Sequence, residues 1–205
     1  PATHVFDNLI VGTGGSFEGG AGDKFVINND FINHSTQNLT WDTVMADLAF
    51  TGDAAAHQLY ITGADLGQTA AGYLDNFAWG SLDLTGQMLT LLDGNDSLGG
   101  ALYLGSILGV TLSGGQVTDI YGNGLDIYYN PFLAENAYLA GLTYDLTGGG
   151  HLAPVSVDLL GVNNLVPLES AMQQTPVPAS IWLFLSGLAG LGLWRRKKSS
   201  ARGNQ

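Results

Sequence analysis

The chain has 205 residues, with 18 Asp and Glu against 6 Lys and Arg, a net charge of −12, 30 glycines and no cysteine. That acidic balance repels phosphate backbones and excludes nucleic-acid binding for the main part of the chain. The missing cysteines exclude disulfides, thiol nucleophiles and thiolate metal sites, and the glycine content with few charges argues against both a helical bundle and a disordered chain.

Near the start, residues 19–27 read GGAGDKFVI. The stretch is comparable to a glycine- and aspartate-rich calcium repeat, but it occurs once and its aspartate is displaced by one position. It therefore reads as a glycine-rich turn entering a strand at 25–27. Residues 40–48 (TWDTVMADL) predict a short helix or a single turn, capped by Thr40 or Asp42.

Apolar-x-apolar triplets then recur along the chain: 48–50, 59–61, 82–84, 89–91, 102–104, 110–112, 125–127, 142–144 and 157–159. Period-two alternation bounded by Gly, Asn and Asp is the signature of a short strand. The intervals from 82 to 102 and from 89 to 110 match the coil length of a solenoid. The fold class predicted is all-β, a right-handed parallel β-helix or solenoid over residues 1–160, with an antiparallel β-sandwich as the alternative.

Candidate sites in this region are sparse. The loop DGND supplies Asp93 and Asp96, two carboxylates that suit weak binding of a hard cation such as Ca2+; no other cofactor is predicted. His4, His34, His57 and His151 lack zinc-ligand spacing, and Asp53 and His57 fall in what reads as an exposed loop. Tyr60, Trp79, Tyr103, Tyr121, Tyr128 and Tyr129 lie in strand-like segments. Facing outward they would form a platform for sugar rings; facing inward they would fill the core, which is the stronger expectation for any one of them.

Residues 161–178 lose the alternation and read as a linker. Residues 179–194 form the most apolar run, which as a helix would span about 24 Å, short of the ~30 Å hydrocarbon core of a bilayer. Pro176, Val177, Pro178 and Ala179 precede it, and Arg195, Arg196, Lys197 and Lys198 follow it. All 18 acidic residues lie at or before Glu169, whereas Lys24 is the only Lys or Arg before residue 195. A positive cluster behind a short apolar span stays on the cytoplasmic side, which predicts one C-terminal hydrophobic helix over 179–198 and a short cytoplasmic tail over 199–205.

This order of Pro-x-Pro, short span, basic cluster and chain end resembles the PEP-CTERM protein-sorting signal of Gram-negative bacteria. Val177 stands where that family has its central Glu, so the tail is similar to the Val-Pro-x-Pro-Ala variant. The resemblance implies export, with the N-terminal signal removed or lying before Pro1. It also implies recognition by exosortase in the inner membrane and delivery to the cell surface or an exopolysaccharide matrix. Exosortase, the membrane and matrix polysaccharide or other matrix subunits are the partners that follow. Because no nucleophile, metal cluster or cofactor motif accompanies the signal, the chain is read as a structural or binding protein and not an enzyme. The alternative is a carbohydrate-active hydrolase on a β-helical scaffold, which would need two positioned carboxylates.

Overall fold

In the computed structural model the described residues are 1–53, 56–95 and 99–156. The chain winds through about six turns of a β-solenoid. The first three turns are β1 (Thr3–Phe6) with β2 (Leu9–Val11), β3 (Lys24–Ile27) with β4 (Phe31–Asn33), and β5 (Thr43–Phe50) with β6 (His57–Ile61). The next two contain β7 (Trp79–Asp83) with β8 (Leu89–Asp93), and β9 (Ala101–Leu108) followed by β10 (Leu112–Ser113) and β11 (Gln116–Tyr121). The last has β12 (Asp126–Tyr129) with β13 (Tyr144–Thr147), and β14 (His151–Pro154) follows.

One face stacks β1, β3, β5, β7, β9, β12 and β14, and the other stacks β2, β4, β6, β8, β11 and β13. Neighbours within each face pair in parallel, so the sandwich alternative does not hold. At the far end β14 pairs antiparallel with β13, joining the two faces into one continuous sheet. Gly148, Gly149 and Gly150 make that closing turn, all with positive φ, a conformation that β-carbons disfavour.

The alternation seen in the sequence becomes ranks of inward side chains. His4, Phe25, Leu48, Leu82 and Ile107 are successive register partners on one face, and Phe31, Leu59 and Leu91 are successive partners on the other. Leu48, Leu82, Leu91 and Ile107 are all fully buried. A parallel coil of short strands is stable only as a stack, because each turn's apolar inner face is covered by the turns beside it.

Register departs from the sequence reading in two places. Leu82 pairs with Ile107, not residue 102, and Leu89 pairs with His57 and Ile120, not residue 110. The coils are longer than the triplet spacing implies, because loops between the strands differ in length. Residues 43–50 are likewise a strand and not a helix, with one 3-10 turn, Asn38–Thr40, before it. Its partners on both sides, β3 and β7, satisfy the backbone of β5, and tertiary pairing overrides the weak helical pattern. The stretch 19–27 forms the expected turn: Gly20 N donates to Asp23 Oδ2 at 3.0 Å, and β3 begins at the next residue.

Among the described residues no helix is long and apolar enough to cross a membrane. The predicted linker, apolar helix and basic cluster lie outside the described residues, as does triplet 157–159.

Candidate functional site

The longest interval between triplets in the sequence, from residue 59 to residue 82, is a loop that leaves the coil after β6 and returns at β7. This loop, 62–78, folds back over the outer surface of β9 and β12. Leu66 N donates to Tyr103 Oη at 2.9 Å, and Tyr103 Oη donates to Gly67 O at 2.7 Å. Tyr73 Oη donates to Leu104 O at 2.8 Å, and Tyr128 Oη donates to Asp65 Oδ1 at 3.0 Å. The rings of Tyr103 and Tyr128 stack at 4.8 Å, with Tyr73 edge-on to Tyr103 at 5.7 Å. Burial, with the Asp65 and Asp126 carboxylates nearby, pushes the Tyr103 hydroxyl up to about 12. These tyrosines stay neutral donors at physiological pH.

Where the loop rejoins the coil it forms one wall of a groove of about 600 Å3. The opposite wall is 39–44. Asn38 Nδ2 donates to Asp75 O at 2.9 Å and ties the walls together. Asp75 and Phe77, on either side of the buried Asn76, are held at φ 49° and 58°, a left-handed backbone that non-glycine residues rarely adopt. Asn76 holds the bend by bonding both backbone groups of Ala64, accepting from its N at 2.7 Å and donating to its O at 2.9 Å.

Three carboxylates line the groove: Glu18, Asp42 and Asp75. Glu18 and Asp42 are direct partners in a parallel bridge, so their side chains leave the backbone toward the same side. Leu39 and Leu74 stand at the groove as exposed apolar side chains, 77% and 71% accessible. Trp41 lies beneath with its indole N–H spent on Thr43 Oγ1 at 2.8 Å, and Thr43 Oγ1 in turn donates to Ala78 O. Among the described residues, no His, Lys or Arg lines the groove. Chemically, the groove accepts hydrogen bonds from hydroxyls, attracts cations and offers two leucines for apolar contact.

The aromatic platform does not form from the six residues that suggested it. Trp79 and Tyr129 are in the main core, and Tyr103 and Tyr128 are in a second small core under the loop. Tyr60 is half-buried with its ring edge-on to His34, which leaves Tyr121, 47% exposed, as the open one. His57 is not in an exposed loop but in β6, fully buried: Nδ1 donates to Asn29 O at 2.6 Å, and Nε2 meets the Gln87 side-chain amide at 2.8 Å. The four histidines do not converge. His4 stacks on Phe25, His34 bonds Gly94 O, and His151 pairs with Asp126 at 3.0 Å.

Asp93 ends β8, exposed, with Oδ1 accepting from Asn95 N at 3.2 Å. Its proposed partner Asp96 lies outside the described residues, as do Pro176, Val177, Pro178, Ala179, Arg195, Arg196, Lys197 and Lys198. Among the described residues no three His, Asp or Glu groups are placed to hold a metal ion together. Lys24, the one basic side chain before the tail other than histidine, lies 3.8 Å from Asp83 and away from the groove lining.

The groove residues carry no sequence motif. Their one signal is the irregular triplet spacing that betrays the 62–78 loop, together with Asp-Asn at 75–76, residue types that tolerate a left-handed bend. Compared with known proteins, the chain matches no family model, no curated protein and no solved structure.

Proposed function

We propose that this protein is an exported component of the cell surface or extracellular matrix, sorted by exosortase through its C-terminal tail, that binds or scaffolds polysaccharide without turning it over. The observation that carries the reading is the order of features in 176–198: Pro-x-Pro, a short apolar span, then four consecutive basic residues in a chain otherwise nearly devoid of them. The apolar span inserts in the inner membrane, the basic cluster stays inside, and the acidic solenoid lies outside until processing releases or anchors it.

The solenoid fits the binding role. Its successive turns expose a row of parallel strands, so weak contacts to an extended polymer add up from turn to turn. The groove offers acceptors and apolar contact, with no Lys or Arg of the kind that a lyase uses on acidic sugars among its described residues. Weak Ca2+ binding at Asp93 and Asp96 would let an acidic polymer approach a surface of the same sign. A second reading, a hydrolase, draws on the Glu18–Asp42 bridge, which sets two carboxylates side by side on one wall.

Intact-mass measurement of the exported protein tests the sorting step. The expected product has lost the residues beyond about 178. An extracellular chain still ending at Gln205 would contradict it.

A further inference from the structure

Where β13 and β14 close the stack, their antiparallel pairing sets Asp145 directly opposite His151. Asp145 N donates to Gly115 O, away from β14. The pair is therefore of the type without mutual backbone hydrogen bonds, in which side chains stand closest. Both side chains are exposed, 78% and 54%, on a hairpin that β11 and β12 flank. His151 Nε2 lies 3.8 Å from Asp145 Oδ1.

The other ring nitrogen is already committed. Asp126 Oδ1 accepts from His151 N at 2.7 Å and stands 3.0 Å from His151 Nδ1. A carboxylate only accepts, so Nδ1 carries the proton of the neutral ring and the Nε2 lone pair is left for another partner. Asp126 is itself held in place, with Oδ2 3.3 Å from Tyr128 Oη. A carboxylate that fixes the tautomer and orientation of an imidazole is the partner that metal-ligating histidines have behind them. The geometry toward Asp145 agrees. At 3.8 Å the two atoms are too far apart to hydrogen-bond. Two bonds of ~2.1 Å to one tetrahedral ion put their ligand atoms ~3.4 Å apart, a small movement for an exposed carboxylate.

We propose that His151 Nε2 and the Asp145 carboxylate form an exchangeable site for a divalent transition ion of the Zn2+ type, with Asp126 as the positioning residue behind His151. An imidazole beside a carboxylate favours Zn2+, Ni2+ or Cu2+ over Ca2+, which takes oxygen ligands. Lys24 is engaged with Asp83 at 3.8 Å. Among the described residues no lysine or arginine therefore neutralises Asp126 or Asp145, and their joint field attracts a cation. No third His, Asp or Glu among the described residues joins the site, so the two side chains fill only part of a shell of ~4 ligands. The ion keeps open positions for water or for a donor group of a bound polymer. It also clasps β13 to β14 at the closed end of the stack.

Zn2+ itself is the probe. The full chain, kept in mild detergent because of its apolar tail, is titrated calorimetrically with Zn2+. In parallel, diethyl pyrocarbonate, which modifies an imidazole nitrogen with a free lone pair, is mapped by mass spectrometry with and without the ion. Zn2+ should protect His151 and leave His4 open to modification. His151→Gln should abolish the site, Asp145→Asn should weaken it, and Asp126→Asn should lower the affinity about 10–100-fold. The far-ultraviolet dichroism of all three should stay that of the parent. His4→Gln should bind as the parent does, and an equal concentration of Ca2+ should not displace Zn2+. If Asp126→Asn lowered stability without changing Zn2+ affinity, the positioning role would be wrong. A parent chain in which Zn2+ gives His151 no protection would reduce the cluster to an ordinary ion pair and overturn the proposal. Undiminished affinity in His151→Gln, or displacement by Ca2+, would place the ion on other groups and overturn it as well.

Discussion

Gly72 lies against the ring of Tyr103, so closely that a β-carbon at residue 72 would overlap the ring atoms. The contact presses the 62–78 loop onto the outer face of β9 and so fixes the wall of the groove. Gly72→Ala must push the loop away, at a cost of about 1–3 kcal/mol for an overpacked site. The main core lies on the other side of the sheet. Tyrosine near-ultraviolet dichroism should therefore drop while the far-ultraviolet spectrum stays that of a β protein. An unchanged near-ultraviolet spectrum would mean that the loop is not held by this contact.

The inward ranks make a sharper stability prediction. Leu82 is fully buried between Leu48 and Ile107, so Leu82→Ala should cost about 2–5 kcal/mol through lost burial and the cavity left behind. Leu74, 71% exposed at the groove, should cost within about 0.5 kcal/mol when replaced by alanine. Denaturant titration of both variants measures the contrast. Similar losses would place Leu74 in the core or Leu82 outside it.

Two carboxylates set opposite pH trends. Burial raises the Asp119 carboxyl above its ordinary value of 3.8, and Oδ1 is buried without a hydrogen-bond partner. A raised carboxyl favours the native state most below pH 3.8, and that contribution is lost as pH rises through the folded value. Asp119→Asn should accordingly raise Tm at pH 7, and the difference should shrink toward zero below about pH 4. Asp23 is held below 3.8 by hydrogen bonds from Ala2 N and Gly20 N. Its contribution is present above pH 3.8 and fades as pH falls through the folded value, so Asp23→Asn should lower Tm at pH 7 and not in acid. Reversal of either sign would contradict the assigned environment.

Much of the fold is legible in the sequence because a buried strand must alternate. Leu82, Leu89, Leu91 and Leu102 stand in strands or at their ends just where the triplets put them. Register is not legible from the same pattern. Alternation says which side of a strand is buried but not which coil lies above it, and loops of unequal length carry Leu82 to Ile107. His57 shows the same gap, since its place in the core depends on hydrogen-bond partners, Asn29 and Gln87, that belong to other turns. The groove was hidden for a related reason. Glu18, Asp42 and Asp75 are far apart in sequence, and what gathers them is the path of a loop, fixed by Asn76, Gly72 and Tyr103.

Calcium and chelator separate two modes of polymer binding. If divalent cations bridge the acidic solenoid to an acidic polysaccharide, binding should weaken when a chelator is added and recover with Ca2+. Binding of a neutral glycan through the groove should be indifferent to chelator and weaken in Leu39→Ala and Leu74→Ala. Calcium should also raise Tm, and Asp93→Asn with Asp96→Asn should remove that rise. No rise in the parent chain would exclude a calcium role at this loop.

The most direct test of the central claim, binding without turnover, is to incubate the full chain with the exopolysaccharide of the strain that produces it and to follow co-sedimentation and reducing ends together. The predicted result is protein that pellets with the polymer while the number of reducing ends stays constant over time. New reducing ends that disappear in Glu18→Gln or Asp42→Asn would show catalysis in the groove and contradict the account.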